Sequence, residues 1–461
     1  MTLRDLPRVD ALLAHPDMSR AAEGAPRRLA LAAAREAIAG ARARVQEGTD
    51  VKVEEIVSRA IELLRAKLRP SLRRCVNATG VVLHTGLGRA PLSPAAARAL
   101  AEVAGGYSNV QSDVGSGERV PREVHVEAIL HELTGAEAAA VVNNNAAATV
   151  LVLNTLAAGQ EVIISRGEMV EIGGAFRLPD IVRLSGCRLV EVGCTNRTHL
   201  RDYRRAITPD TALLLPVHQS NYRITGFTAA PELAELVALA KEYGLSCAHD
   251  LGSGALHDLT QFGLPHEPTV QESLAAGADA VFFSGDKLLG GPQCGIILGK
   301  RTAVEAMRAN PFYRTFRVDK LILAALEATL RLFLAPETIR EQHRVTELLT
   351  RPEAAIRAQA EALAASVREG CAGLSVAVQS TPSEVGGGSL AGEQLPSWAV
   401  ALSAEVMSAE ELASRLRLND PPIFARVHED AVFLDCRTLL AGEEEIVVAA
   451  LARLFPSGAG R

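Results

Sequence analysis

The sequence predicts an α/β protein: a mostly parallel sheet flanked by helices, with a helical module before it and a smaller α+β domain after it. Three observations lead there. Residues 1–70 carry helical periodicity throughout. From Val76 the texture changes to short apolar runs alternating with helical patterns, as βαβ units require. Two of those runs end in polar residues among glycines, Asp250 and Lys287, and their spacing of 37 residues accommodates strand, helix, strand. Both side chains then emerge at the edge where open α/β sheets bind ligands. The expected domains are 1–70, 71–330 and 331–461.

In the first module, Ala25 to Val45 is rich in Ala, Arg and Leu. From Val51 to Leu68, residues Val53, Ile56, Val57, Ile61, Leu64 and Leu68 recur at helical spacing. Gly48 and Asp50 separate the two helices, and Pro70 ends the second. Residues 1–74 hold 15 Lys+Arg against 10 Asp+Glu, a balance of +5, so the remainder carries −11 of the net −6. A basic module on an acidic body points to a polyanionic partner, although solvated helices share that pattern.

The expected strands of the second region are Ala139–Val142, Glu161–Ser165, Arg188–Val192, Ala212–Val217, Ser246–Asp250, Ala280–Ser284 and Cys294–Leu298. A long helix over about 319–334 leads into the third region. There Ser375–Val378, Trp398–Leu402, Ile423–Val427 and Ala431–Asp435 read as strands, and Ala409–Leu416 and Glu444–Leu454 as helices. The loop Glu384-Val-Gly-Gly-Gly388 is the one low-complexity tract.

Hydrophobic content of 48% and charged content of 22% fit a globular protein with a large core. No apolar run reaches membrane-spanning length, and the N-terminal segment lacks a signal core, so a cytoplasmic protein with no membrane association is expected. The seven cysteines form no CxxC pair, as expected of reduced, scattered residues.

The chemistry centres on Ser284-Gly-Asp-Lys-Leu-Leu-Gly-Gly291. A lysine at the end of a buried strand is positioned to lose its proton and act as a nucleophile; a surface lysine in a tight turn is the plainer reading. Asp250, in Ala248-His-Asp-Leu-Gly-Ser-Gly254, shifts the balance. Pyridoxal 5'-phosphate needs this pair, a lysine for the Schiff base and an acid to keep the pyridinium nitrogen protonated. Ser284 would offer a hydroxyl to the cofactor phosphate. Asn143, Asn144 and Asn145 open a helix after a strand and suit a phosphate or an ordinary N-cap. His218, Ser220 and Asn221 follow another strand and suit hydrogen bonds to the cofactor or its substrate adduct, or a capped turn. Arg89 follows Gly86 and Gly88. Arg314 and Arg317, three apart, are suited to grip a tetrahedral oxyanion, although each arginine alone also fits a surface ion pair. His249-Asp250 and His257-Asp258 invite a metal reading, but their spacing offers no shared helical face.

Together these residues resemble the bacterial selenocysteine synthase family, the L-seryl-tRNA(Sec) selenium transferases. The likeness runs through Arg74–Leu92, Tyr107–Asn109, Leu133–Ala138, Val142–Ala148, Ser165–Gly174, Ser284–Gln293, Pro421-Pro422 and Asp435–Thr438, nearly the whole chain. Residues 110–123 depart from the family's pattern, and Gln219 stands where a threonine is usual. The resemblance implies an aspartate aminotransferase-like, fold type I enzyme with Lys287 as the Schiff-base lysine, assembled as a decamer. It implies that Arg89, Arg314 and Arg317 bind selenophosphate and that the basic module binds tRNA(Sec) carrying serine. Asp286, beside the lysine, would assist proton transfer. The competing readings are a pyridoxal phosphate lyase acting on a free small amino acid or amino sugar acid, and a non-enzymatic tRNA-binding scaffold.

Overall fold

The computed structural model describes residues 2–174 and 176–457, which fall into two compact units, Met1–Arg74 and Cys75–Arg461. The first is all-helical: Val9–Ala14, Pro16–Ala21, Arg27–Gln46 and Val53–Leu68. Along the third helix Ala30, Ala33, Ala34, Ala37, Ile38 and Ala41 form a buried stripe at three- and four-residue spacing. Such small side chains let Ile56, Val57, Ala60 and Leu64 of the fourth helix approach closely. Gly48, at φ +85°, allows the reversal between the two helices.

The second unit contains a seven-stranded sheet in the order Ala138–Val142, Gly295–Gly299, Ala280–Ser284, Ser246–Gly252, Thr211–Leu214, Glu161–Ser165, Arg188–Val192. All seven expected strands are present. Gly295–Gly299 runs antiparallel to both neighbours and the other pairings are parallel. Thr211–Leu214 ends before the expected Val217 because Pro216 has no N–H to donate. Alternate residues point into two different cores: Val281 and Phe283 join one, Ala280 and Phe282 the other. Helices therefore cover both faces, and the strands read as unbroken apolar runs.

A second sheet has the order Val76–Ala78, Ile423–His428, Ala431–Asp435, Gln394–Ala404, Leu374–Glu384. Glu353–Gly370, Ala409–Arg417 and Glu443–Leu454 pack their apolar stripes into its core. The chain contributes Val76–Ala78 before it enters the large sheet, in parallel register Val76↔Ile423. Asp435, fully buried, anchors this region: it accepts from Ser383 Oγ at 2.9 Å, Ser397 Oγ at 2.7 Å and the Arg426 guanidinium at 3.0 Å. No helix among the described residues is long and apolar enough to cross a membrane.

Candidate active site

The carboxyl ends of the large sheet's parallel strands share one edge, where each expected functional turn lies. A cavity of about 290 Å³ there is lined by residues from four of these turns, including Asn145, His218, Asp250 and Lys287. Asn144, Ser220, Ser284, Asp286 and Arg89 line it as well.

Lys287 is 4% exposed, and its Nζ donates to the Gly388 carbonyl at 3.3 Å. Burial pushes the lysine below its ordinary value; Asp250 opposes this, and Arg89 adds to it by repulsion. The amine is therefore biased toward its neutral, nucleophilic form. The turn that carries it is clamped: Gly291 N–H donates to the Gly285 carbonyl at 2.8 Å, and His343 Nε2 lies 2.8 Å from the Leu289 carbonyl. Gly388 has φ +73°, and a Cβ there would sit 3.1 Å from Lys287 Nζ and 3.4 Å from Asn221 Cβ, so only glycine leaves the lysine room.

Asp250 lies at the cavity floor, its Oδ1 accepting from Asn145 Nδ2 at 3.0 Å. Burial raises its carboxyl to about 6, against the pull of Asn145, Lys287 and His218. A buried carboxylate of this kind gains from a cationic partner, which a protonated pyridine nitrogen supplies. Asn145 is held on Asp250, and Asn144 caps the Asn145–Ala157 helix by accepting from Ala147 N–H at 2.8 Å, so the helix start and the Ser284 hydroxyl are what face a phosphate here; with a buried lysine opposite, the residues fit pyridoxal phosphate.

Arg89 adopts a left-handed φ of 60° after Gly88, and its guanidinium meets Asp286 at 2.7 Å. The two residues expected to serve donor binding and proton transfer are therefore a single ion pair. Arg314 and Arg317 do not line the cavity. They lie on and after the short helix Pro311–Thr315, which docks beside the asparagine turn through Asn143 N–H to the Phe316 carbonyl at 3.0 Å. There they crowd Arg122, whose guanidinium is held by Gln111 and the Val318 carbonyl. The atypical 110–123 segment thus fixes the arginine-bearing segment. Asn221 stands at the rim, donating to the Glu171 carbonyl at 3.1 Å. Gln219 donates to the Gly167 carbonyl at 2.8 Å. His249 contacts Ser273 Oγ at 3.0 Å and His257 stacks on Phe333, so the two His-Asp pairs face different neighbours.

Several site residues carried no role in the sequence reading. Gly388 belongs to the glycine tract noted there, but its meeting with Lys287 is a tertiary event. Gln293 and Val217 also line the cavity. Glu168 falls within the Ser165–Gly174 block; its Oε2 accepts the Val217 N–H at 3.2 Å, and burial pushes its carboxyl up to about 8, toward the protonated form. Glu267 is 4% exposed and lies 3.2 Å from His218 Nε2.

Comparison with known proteins shows the family. Residues 75–440 match the model of the L-seryl-tRNA selenium transferase family, and residues 3–42 match a selenocysteine synthase N-terminal model. The chain is 49% identical over 462 residues to an L-seryl-tRNA(Sec) selenium transferase of Moorella thermoacetica, covering 98% of this chain and 96% of the relative. It is 46% identical over 447 residues to that of Carboxydothermus hydrogenoformans, covering 96% and 95%. Among solved structures, a D-glucosaminate-6-phosphate ammonia-lyase superposes with TM-score 0.57 at 22% identity, over 85% of this chain and 97% of that one, a likeness of fold.

Proposed function

The chain belongs to the L-seryl-tRNA selenium transferase family, and from that premise we infer that it converts seryl-tRNA(Sec) to selenocysteyl-tRNA(Sec), the seryl hydroxyl leaving and selenium taking its place on the β-carbon. The fold is the fold type I, aspartate aminotransferase-like arrangement, and the cofactor is pyridoxal 5'-phosphate. The observation that carries the reading is the buried Lys287 facing Asp250 across one cavity at the carboxyl edge of the sheet.

Bound there, the cofactor supplies an electron sink for the charge that develops at the substrate's α-carbon. Lys287 would hold it covalently, and its neutral amine is placed to remove and return the α-proton. Asp250 would keep the ring nitrogen protonated. Asn143, Asn144, Asn145 and Ser284 would take the phosphate, and His218, Ser220 and Asn221 would orient the ring and the bound substrate. Asp286 takes part in proton transfer while paired with Arg89. Arg89, Arg314 and Arg317 bind selenophosphate, a tetrahedral anion suited to guanidinium forks.

The module 1–70 takes the tRNA, 71–330 holds the cofactor and 331–461 forms the smaller domain. The family resemblance supports a homodecamer, and a charged tRNA substrate supports a cytoplasmic location. A lyase acting on a free small amino acid or amino sugar acid would share Lys287 and Asp250 but have no use for a basic module; the full-length relatives carry the transferase name instead. The test is to incubate the purified protein with seryl-tRNA(Sec) and selenophosphate and to identify the esterified amino acid. Selenocysteine, absent with seryl-tRNA(Ser), is the expected product, and unchanged serine overturns the reading.

A further inference from the structure

Resting on the cofactor site described above, we propose that Glu267 is a positioning residue that acts on the cofactor cavity through the His218 imidazole. His218 stands between two spaces. One is the cavity of about 290 Å³ that holds Lys287 and Asp250; the other is a polar cavity of about 550 Å³, and Val217 and His218 line both. His218 is thus shared by the two cavities, so the orientation of its ring bears on both.

Its main chain is held by the Asp250 strand, with His218 N–H donating to the Asp250 carbonyl at 2.9 Å. Its ring is held by Glu267, whose Oε1 lies 3.2 Å from Nε2. Glu267 reaches this point from the loop before the Val270–Ala275 helix, so no strand periodicity announces it. With its side chain 6% exposed, its carboxylate has little water to stabilise it and draws on the imidazole as partner. A carboxylate on one ring nitrogen fixes both the orientation of an imidazole and the site of its proton. Here the proton belongs on Nε2, facing Glu267.

Other charged groups share the spaces that His218 lines: Arg197, Arg223, Glu232, His266 and Glu393 stand on the larger cavity. Asp250 attracts a positive ring, and Lys287 shares the smaller cavity. His249 repels it, but burial holds His249 neutral, at about 3, and its Nδ1 is engaged by Ser273. Glu168, which burial pushes toward its protonated form, secures the preceding Val217 N–H. Of these, Glu267 is the carboxylate in contact with the ring, and its charge also reaches Lys287 directly. The experiment must separate these two routes.

Pyridoxal phosphate-loaded wild type, E267Q, H218F and the double variant are titrated by the absorbance of the lysine–cofactor chromophore against pH. The expected result is a midpoint lowered by about half a unit or more in E267Q. The same substitution in the H218F background should move it far less. Equal shifts in both backgrounds would mean that Glu267 acts on the lysine by charge alone, and would overturn the proposal, as would an unmoved midpoint in E267Q. Glu267→Asp keeps the charge but withdraws it by one methylene; it should also lower the midpoint, and a wild-type midpoint there overturns the proposal independently. A chromophore missing from wild type, or retained in K287A, would instead sink the cofactor site itself.

Discussion

At the scale of single residues, the site rests on ionisable groups held away from water. Asp250 shows the consequence for pH. Its folded value of about 6 lies above the unfolded value of about 4, so between them the folded state holds the proton more tightly. Stability from this group is therefore present at low pH and lost as pH rises from about 4 through about 6. Above that window the ionised carboxylate costs the apoprotein on the order of 3 kcal/mol. Asp250→Asn should raise the apoprotein's melting temperature at pH 7.5 and leave it unchanged near pH 4, while lowering turnover by about 100-fold or more. A thermal melt at the two pH values, with a single-turnover assay, checks both. The arginines are expected to divide. Arg314→Ala or Arg317→Ala should cut kcat/KM for the selenium donor by about 10- to 100-fold with tRNA affinity unchanged. Arg89→Ala should do more, because it also leaves the buried Asp286 carboxylate without its 2.7 Å partner. Donor titrations beside tRNA-binding measurements separate these effects.

At the scale of elements, the turns at the sheet edge do the positioning. The Lys287 turn has its own clamp and meets the glycine tract of a distant loop at Gly388. Gly388→Ala forces a side chain into a left-handed conformation, at a cost of about 1 kcal/mol. It also places a methyl 3.1 Å from the lysine nitrogen. The expected outcome is a modest fall in melting temperature with cofactor occupancy reduced by about tenfold or more, read from the bound chromophore. A variant with normal occupancy would show that the lysine can move aside.

At the scale of the whole molecule, the two compact units have separate cores, and the proposed function assigns them separate tasks. The basic helical unit 1–74 has its own core, and the remainder holds every cavity-lining residue of the candidate site. Deleting residues 1–74 should leave cofactor binding intact and weaken tRNA(Sec) affinity by about tenfold or more. Absorbance of the truncated protein and a tRNA-binding titration at fixed salt test this. Equal tRNA affinity in the truncated protein would assign recognition to the larger unit.

The sequence by itself determined the strands of the large sheet and the pairing of Lys287 with Asp250. Buried strands need continuous apolar runs, and a βαβ crossover fixes the spacing of successive strand ends; both are local properties of the chain. It did not disclose that Gly295–Gly299 runs antiparallel, since an apolar run has no direction. It also did not reveal that Val76–Ala78 joins the far sheet, because three residues carry no period and the partner strand lies at the other end of the chain. Glu168, Glu267 and Gly388 were likewise beyond its reach. Each acts through one contact with a residue remote in sequence, to Val217, His218 and Lys287. Tertiary structure decided those contacts, because burial and proximity, rather than residue type, push a glutamate toward its protonated form or let a glycine carbonyl receive a lysine.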